Sequence, residues 1–189
     1  MGRSETVKRV PLLPYLGEYE LVANTFRTTL RHAEILQIDR IQNVFLWECY
    51  QLKRIQLEKK YGCTNERDLF HGTLPNNVDV ICKDNFDFRL AGERVGTRLG
   101  QGTYFARDAK YSDSYASPDK QGSKCMFLAK VLCGKWCNGD GNYKRPPPVD
   151  PKRKHSDLYD CCVDDVDDPK IVCVFDQNQY YPHYLIKYK

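Results

Sequence analysis

The stretch from Asp68 to Ala116, DLFHGTLPNNVDVICKDNFDFRLAGERVGTRLGQGTYFARDAKYSDSYA, decides how the chain is read. It opens with a short apolar strand pattern that ends in His71-Gly72-Thr73. It closes with Gly102-Thr103-Tyr104-Phe105-Ala106, followed by Tyr111-Ser112 and Tyr115. A histidine at a strand end, a glycine after it where backbone can approach a ligand closely, and two tyrosines offering flat faces and hydroxyls together describe a cleft for something planar and polar. Between these ends, Phe86 to Gly102 is polar and carries Gly92, Gly96, Gly100 and Gly102, the composition of a long surface loop.

Working outward, Met1 to about Leu16 lacks periodicity, contains Pro11 and Pro14, and reads as a tail ahead of a domain over 17–189. Leu21, Val22, Phe26 and Leu30 recur at helical spacing. Ile35 to Ile41 fits a strand and also a helix. Asn43 is a natural N-cap for a helix that ends near Tyr61-Gly62, with Lys59 and Lys60 in its last turn. Asn76 or Asn77 caps a short helix with Val78, Val80 and Ile81. Tyr104 to Ala106 is a short strand, and Asp108 to Ala116 reads as a helix with Tyr111 and Tyr115 on one face. Cys125 to Cys133 is apolar on both faces and so should be a central strand. Asn138 to Asp160, with Pro146-Pro147-Pro148, is a surface loop, and Ile171–Phe175 and Tyr184–Tyr188 are strands. Helices in the first half and strands in the second indicate α+β.

The net charge of +4, with 29 basic against 25 acidic side chains, is too small and too dispersed to imply nucleic-acid binding. No secretory leader pattern stands at Met1–Val10, and no apolar run is long enough to span a bilayer, so no membrane partner is expected. Nine scattered cysteines without such a leader point to reduced thiols and an intracellular site, nucleus and/or cytoplasm. Cys133-x-x-x-Cys137 with His155 or Cys161-Cys162 has permissive zinc spacing, but there is no second well-spaced pair and no metal is expected.

His71-Gly72-Thr73, then Gly100-Gln101-Gly102-Thr103-Tyr104-Phe105-Ala106, then Ser112 and Tyr115 resemble the catalytic domain of the poly(ADP-ribose) polymerase family, from about Gly17 to Lys189. The wording of Arg145–Asp150, Ser156–Asp160 and Tyr181-Pro182 is similar to its mono-ADP-ribosylating branch with CCCH zinc fingers and WWE modules, the branch that includes the dioxin-inducible member. The resemblance implies the ADP-ribosyltransferase fold: α+β, two packed, mainly antiparallel sheets forming an NAD cleft, with helices from the N-terminal half. It also decides Ile35–Ile41 for strand, and makes Phe86–Gly102 the loop over the bound dinucleotide. The co-substrate would be NAD+ and the partners acceptor proteins, the chain itself included. Nucleic acid would be met only through modules absent from this chain.

NAD+ is an activated glycosyl donor, so an enzyme need only bend it, grip the nicotinamide and present a nucleophile. The resemblance gives Gly72 the nicotinamide carboxamide through its backbone. Ser112 would donate to the carboxamide oxygen, Tyr115 would stack on the ring, Tyr104 would line the opposite wall, and His71 would hold the adenosine-side ribose. Thr73 belongs to the same motif. Taken singly, each has a plain structural reading: a core histidine, core aromatics, a turn glycine, a helix-surface serine.

Polymer-forming relatives have a Glu where the strand Ile171–Phe175 begins, and here that position is Ile171. An aliphatic side chain can neither accept a proton nor orient a hydroxyl, so elongation would be lost while a single transfer survives. The set His71, Tyr104 and Ile171 is therefore the expected catalytic triad of a mono-transferring enzyme. The competing readings are an inactive pseudoenzyme that binds NAD+ or a partner, and an RNA-binding fragment. Retained His71 argues against the first, and the lack of finger motifs and of a basic stripe against the second.

Overall fold

The structure, a computed structural model, describes residues 7–87 and 97–189. Along the chain lie β1 (Lys8–Pro11), α1 (Gly17–Arg27), β2 (Ile35–Gln42), α2 (Val44–Tyr61), β3 (Glu66–Thr73), α3 (Val78–Asp84), β4 (Thr103–Ala106), α4 (Ala109–Asp113), β5 (Lys124–Leu132), β6 (Trp136–Asn138), β7 (Cys161–Val163), β8 (Ile171–Val174) and β9 (Tyr180–Tyr188). The expected α+β class holds. All described strands lie in one ladder, in the order β1-β2-β9-β5-β3-β4-β8-β7-β6. Only the β6–β7 pairing is parallel.

The expectation of two sheets needs restating, because the ladder is continuous. It is nearly cut in two, however: β3 pairs with β4 at a single register position, Phe70 opposite Ala106. On one side of that joint stand five strands, on the other four. Leu69, Phe127, Ala129 and Val131 from the first half share one buried cluster with Phe105, Val163, Val172 and Val174 from the second. Phe86, just beyond α3, sits in its middle, with ring centroids 5.2 Å from Phe105, 5.4 Å from Phe127 and 5.6 Å from Tyr180. Deleting a ring packed in this way costs ~3–5 kcal/mol.

The alternating residues of the first half face the other way. Phe70, Met126, Leu128, Ile186 and Tyr188 pack against Val22, Ala23 and Phe26 of α1 and Ala109 of α4. Strand β5 serves both clusters, which is why its sequence is apolar on both faces, and it is central as expected, paired with β3 and β9. Helix α2 is bounded as its sequence says. The Asn43 side chain accepts from Leu46 N–H, and Gly62 closes the helix at φ 74°, a left-handed conformation that glycine adopts freely.

Five elements differ from expectation. Lys8–Pro11, read as tail, is an edge strand on β2, a place that tolerates Pro11 because an edge leaves N–H groups unpaired. The last strand starts at Tyr180 rather than Tyr184. It carries Pro182 through a register shift against β5 between Leu128 and Lys130, where a missing N–H costs no ladder bond. Strands β6 and β7 are three residues each, too short to show a period. Helix α4 stops at Asp113, shorter than the periodicity predicts. Of the expected donor loop, residues 88–96 lie outside the described residues.

Candidate active site

The site forms at the joint between the half-sheets. Along β3, residues up to Thr73 are paired with β5, but pairing with β4 is confined to Phe70. His71, Gly72 and Thr73 therefore line an edge where β4 has turned away.

His71 Nδ1 lies 2.8 Å from the carbonyl oxygen of Tyr104, across the joint. A carbonyl can only accept, so Nδ1 carries the proton and Nε2 keeps a free lone pair. The ring packs on Phe86 at 4.8 Å and Phe105 at 5.6 Å between centroids. Burial among these rings lowers the His71 pKa, and the bond to Tyr104 opposes the shift only in part. The imidazole is thus a neutral acceptor aimed from a fixed tautomer.

Gly72 is pressed against α4. A Cβ built there would stand 2.0 Å from the Ser112 carbonyl oxygen and 3.1 Å from Ala116 N, so strand and helix touch backbone to backbone. The Ser112 side chain, 3% exposed, points at the same strand and donates to Phe70 O at 3.1 Å. Thr73 is buried opposite Cys125. Tyr115 donates its hydroxyl to Tyr111 at 3.0 Å, with ring centroids 5.4 Å apart. Burial first, then this bond, pushes the Tyr111 hydroxyl pKa up to about 12. Together the two rings form an aromatic pair that flanks Ser112 in sequence.

The second wall comes from β4 and β8. The Tyr104 hydroxyl donates to Gly100 O at 2.9 Å and accepts from Leu99 N at 2.7 Å. Burial raises its pKa, so it stays protonated and serves as a clamp on the turn at 97–100. Its ring packs with Leu99, Ile171 and Cys173. Ile171 lies opposite Ala106, itself opposite Phe70, so two strand spacings, about 10 Å, separate it from β3. Asp164 holds it there: its Oδ1 accepts from the N–H groups of Lys170 at 2.9 Å and Ile171 at 2.8 Å. The sequence reading passed over Asp164, Phe86 and Tyr111 as site residues. Only Tyr111 carried a signal, its i,i+4 spacing to Tyr115.

Among the described residues, no group of three His, Cys, Asp or Glu side chains stands close enough to hold a metal. The cysteines considered for zinc instead pair off, Cys137 with Cys162 at 3.8 Å between sulfurs and Cys161 with the Cys133 carbonyl at 3.2 Å.

The sequence model of the poly(ADP-ribose) polymerase catalytic domain matches residues 17–189. The chain belongs to that family. Among curated relatives, the mouse (Mus musculus) protein mono-ADP-ribosyltransferase PARP12 is 44% identical over 183 residues, covering 96% of this chain and 25% of that protein. The human (Homo sapiens) protein mono-ADP-ribosyltransferase PARP11 is 45% identical over 200 residues, 95% of this chain and 58% of that protein. The human PARP14, also named a protein mono-ADP-ribosyltransferase, is 39% identical over 183 residues. The chain thus spans between a quarter and somewhat over half the length of the first two relatives. The joint in the sheet is where His71, Gly72 and Thr73 of this poly(ADP-ribose) polymerase catalytic domain meet Ser112 and the main chain of Tyr104, with Tyr115 just beyond α4. Ile171 stands behind them on the wall it shares with Tyr104.

Proposed function

We propose that this domain is a protein mono-ADP-ribosyltransferase that moves ADP-ribose from NAD+ to protein side chains and releases nicotinamide. The observation that carries the reading is the backbone contact at Gly72. It sets the main chain at the end of β3 beside a buried serine hydroxyl, with a neutral histidine acceptor one residue away, and we read the edge left open there as a notch for nicotinamide. That notch fits a planar carboxamide. Bound NAD+ supplies a glycosidic bond whose leaving group departs as a neutral molecule.

The chain's own groups then have distinct tasks. Gly72 offers main-chain N–H and C=O to the carboxamide. Ser112 Oγ, now held by Phe70 O, is within reach of the same group. The Tyr115 ring, steadied by Tyr111, covers one flat face, and Tyr104 closes the other side. His71 Nε2 accepts from a ribose hydroxyl, which fixes the dinucleotide's bend. Ile171 presents hydrocarbon where an elongating enzyme needs an acid, so the acceptor must bring its own nucleophile and transfer stops after one unit. The names of the relatives support this outcome.

At finer grain, we read the chain as the catalytic domain of the branch that carries CCCH zinc fingers and WWE modules. It works in the nucleus and/or cytoplasm, modifies itself as well as other proteins, and leaves nucleic acid to modules outside this chain. Nine free cysteines, six of them buried, are consistent with a reducing compartment. The pseudoenzyme reading loses ground because His71 is present and, among the described residues, no hydrogen bond occupies its Nε2. The test is nicotinamide release from NAD+ by liquid chromatography with an acceptor protein present. Turnover that disappears in His71→Ala is expected, and NAD+ binding without release would overturn the assignment.

A further inference from the structure

Helix α4 has two working sides. Tyr111 and Ser112, with Tyr115 just past its end, are assigned to the notch, while Lys110 and Asp113 line a separate cavity of about 410 Å³. That volume lies in the range of small-molecule sites. Its far wall is the segment after α1, which brings Arg31 and His32 to the rim beside Lys110. Leu30, Ala33 and the buried ring of Tyr188 provide apolar lining.

The charges at this cavity do not balance. Asp113 is its one carboxylate side chain, and Asp113 Oδ1 is already taken by Lys124 Nζ and the Tyr188 hydroxyl, each at 2.8 Å. Among the described residues, Arg31, His32 and Lys110 have no ion-pair partner, and all three are exposed. Other cations of the surface are paired, as in Arg40 with Glu18, Lys53 with Asp176 and Lys130 with Glu66, and what sets this place apart is three unpaired ones around a single concavity. A guanidinium, an ammonium and an imidazole left unpaired around one concavity, above apolar lining, match an anion joined to a partly apolar body.

The geometry points to a second ligand site on the back of α4 that binds a small phosphate-bearing molecule of the nucleotide class, distinct from the nicotinamide notch. Arg31 and Lys110 take the phosphates, His32 donates at the rim, and the sugar or base lies against Leu30, Ala33 and Tyr188. A cavity of this size suits a mononucleotide rather than an extended polymer.

Titration calorimetry of the whole chain with ADP and with inorganic pyrophosphate tests this. Both bind saturably, ADP more tightly because it also covers the apolar lining. Arg31→Gln combined with Lys110→Gln weakens both at least about tenfold. His71→Ala leaves pyrophosphate affinity unchanged, and amide resonances of Leu30–Ala33 and Lys110 move on titration. The replaced side chains are exposed, and the melting temperature checks that the fold is kept. If the double variant melts early, the single variants carry the test. No saturable binding, or binding that survives Arg31→Gln/Lys110→Gln and is lost in His71→Ala, overturns the proposal. Nicotinamide release from NAD+ by the double variant, read separately, keeps failure of this site apart from failure of the transferase assignment.

Discussion

In the proposed transferase, two residues matter for what they lack. Gly72 lacks a Cβ, and Ile171 lacks a carboxyl. The first shows its reason in a distance: any larger residue at 72 puts carbon 2.0 Å from the Ser112 carbonyl. Gly72→Ala must therefore push α4 off β3. The expected cost is ~1–3 kcal/mol of stability, with a melting temperature lower by roughly 2–4 °C for each kcal/mol. Affinity for a benzamide-type nicotinamide mimic should fall more than tenfold, read by thermal shift and titration. A variant with wild-type melting and binding would show that the backbone contact does not shape the notch. In the sequence, His71-Gly72, Tyr104, Ser112 and Tyr115 stand out only together, through their resemblance to the family motif, because singly each has a plain structural reading. Asp164 and Phe86 do not stand out, since one acid in an acidic turn and one phenylalanine after a helix carry no local sign of what they touch across the fold.

At the scale of elements, the joint between β3 and β4 does most to define the site. One register pair, Phe70 with Ala106, ties the half-sheets, and the bond from His71 Nδ1 to Tyr104 O crosses the gap. On the far side the turn between β7 and β8 is fixed by Asp164, which accepts from two main-chain N–H groups. Asp164→Ala leaves both without their partner. It should cost about 2 kcal/mol and loosen the start of β8, lowering nicotinamide release while binding of the nicotinamide mimic, made on β3 and α4, is kept. Equal loss of both would mean the turn supports the whole cleft rather than the Ile171 wall. Helix α2 was read well because caps and periods are local: Asn43 and Gly62 bound it as their chemistry dictates. Short strands were not. Lys8–Pro11, Trp136–Asn138 and Cys161–Val163 are three or four residues long and owe their pairing to neighbours far along the chain.

Over the whole molecule, acid sensitivity follows from two histidines. Burial, then the nearby Lys130, lowers the His183 pKa to about 4, and burial lowers that of His71. Unfolding returns both to about 6.5, so below pH 6.5, and for His183 down to about pH 4, the unfolded chain binds more protons than the native one. Stability is then complete above pH 6.5 and falls as pH drops through that window, by about 3 kcal/mol for His183. The depressed carboxylates Asp119 and Asp168 act lower, below pH 3.8, which separates the two effects. Urea midpoints measured from pH 7.5 to 4.5 should decline, and His183→Phe should flatten the decline. A level profile would contradict the burial of these rings. The central claim is that a family fold with hydrocarbon at 171 transfers one ADP-ribose and stops. Incubate the chain with NAD+ and map the modified protein by mass spectrometry. The account predicts single ADP-ribose adducts at each site, absent in His71→Ala. Chains of linked ADP-ribose on the wild-type protein would contradict it.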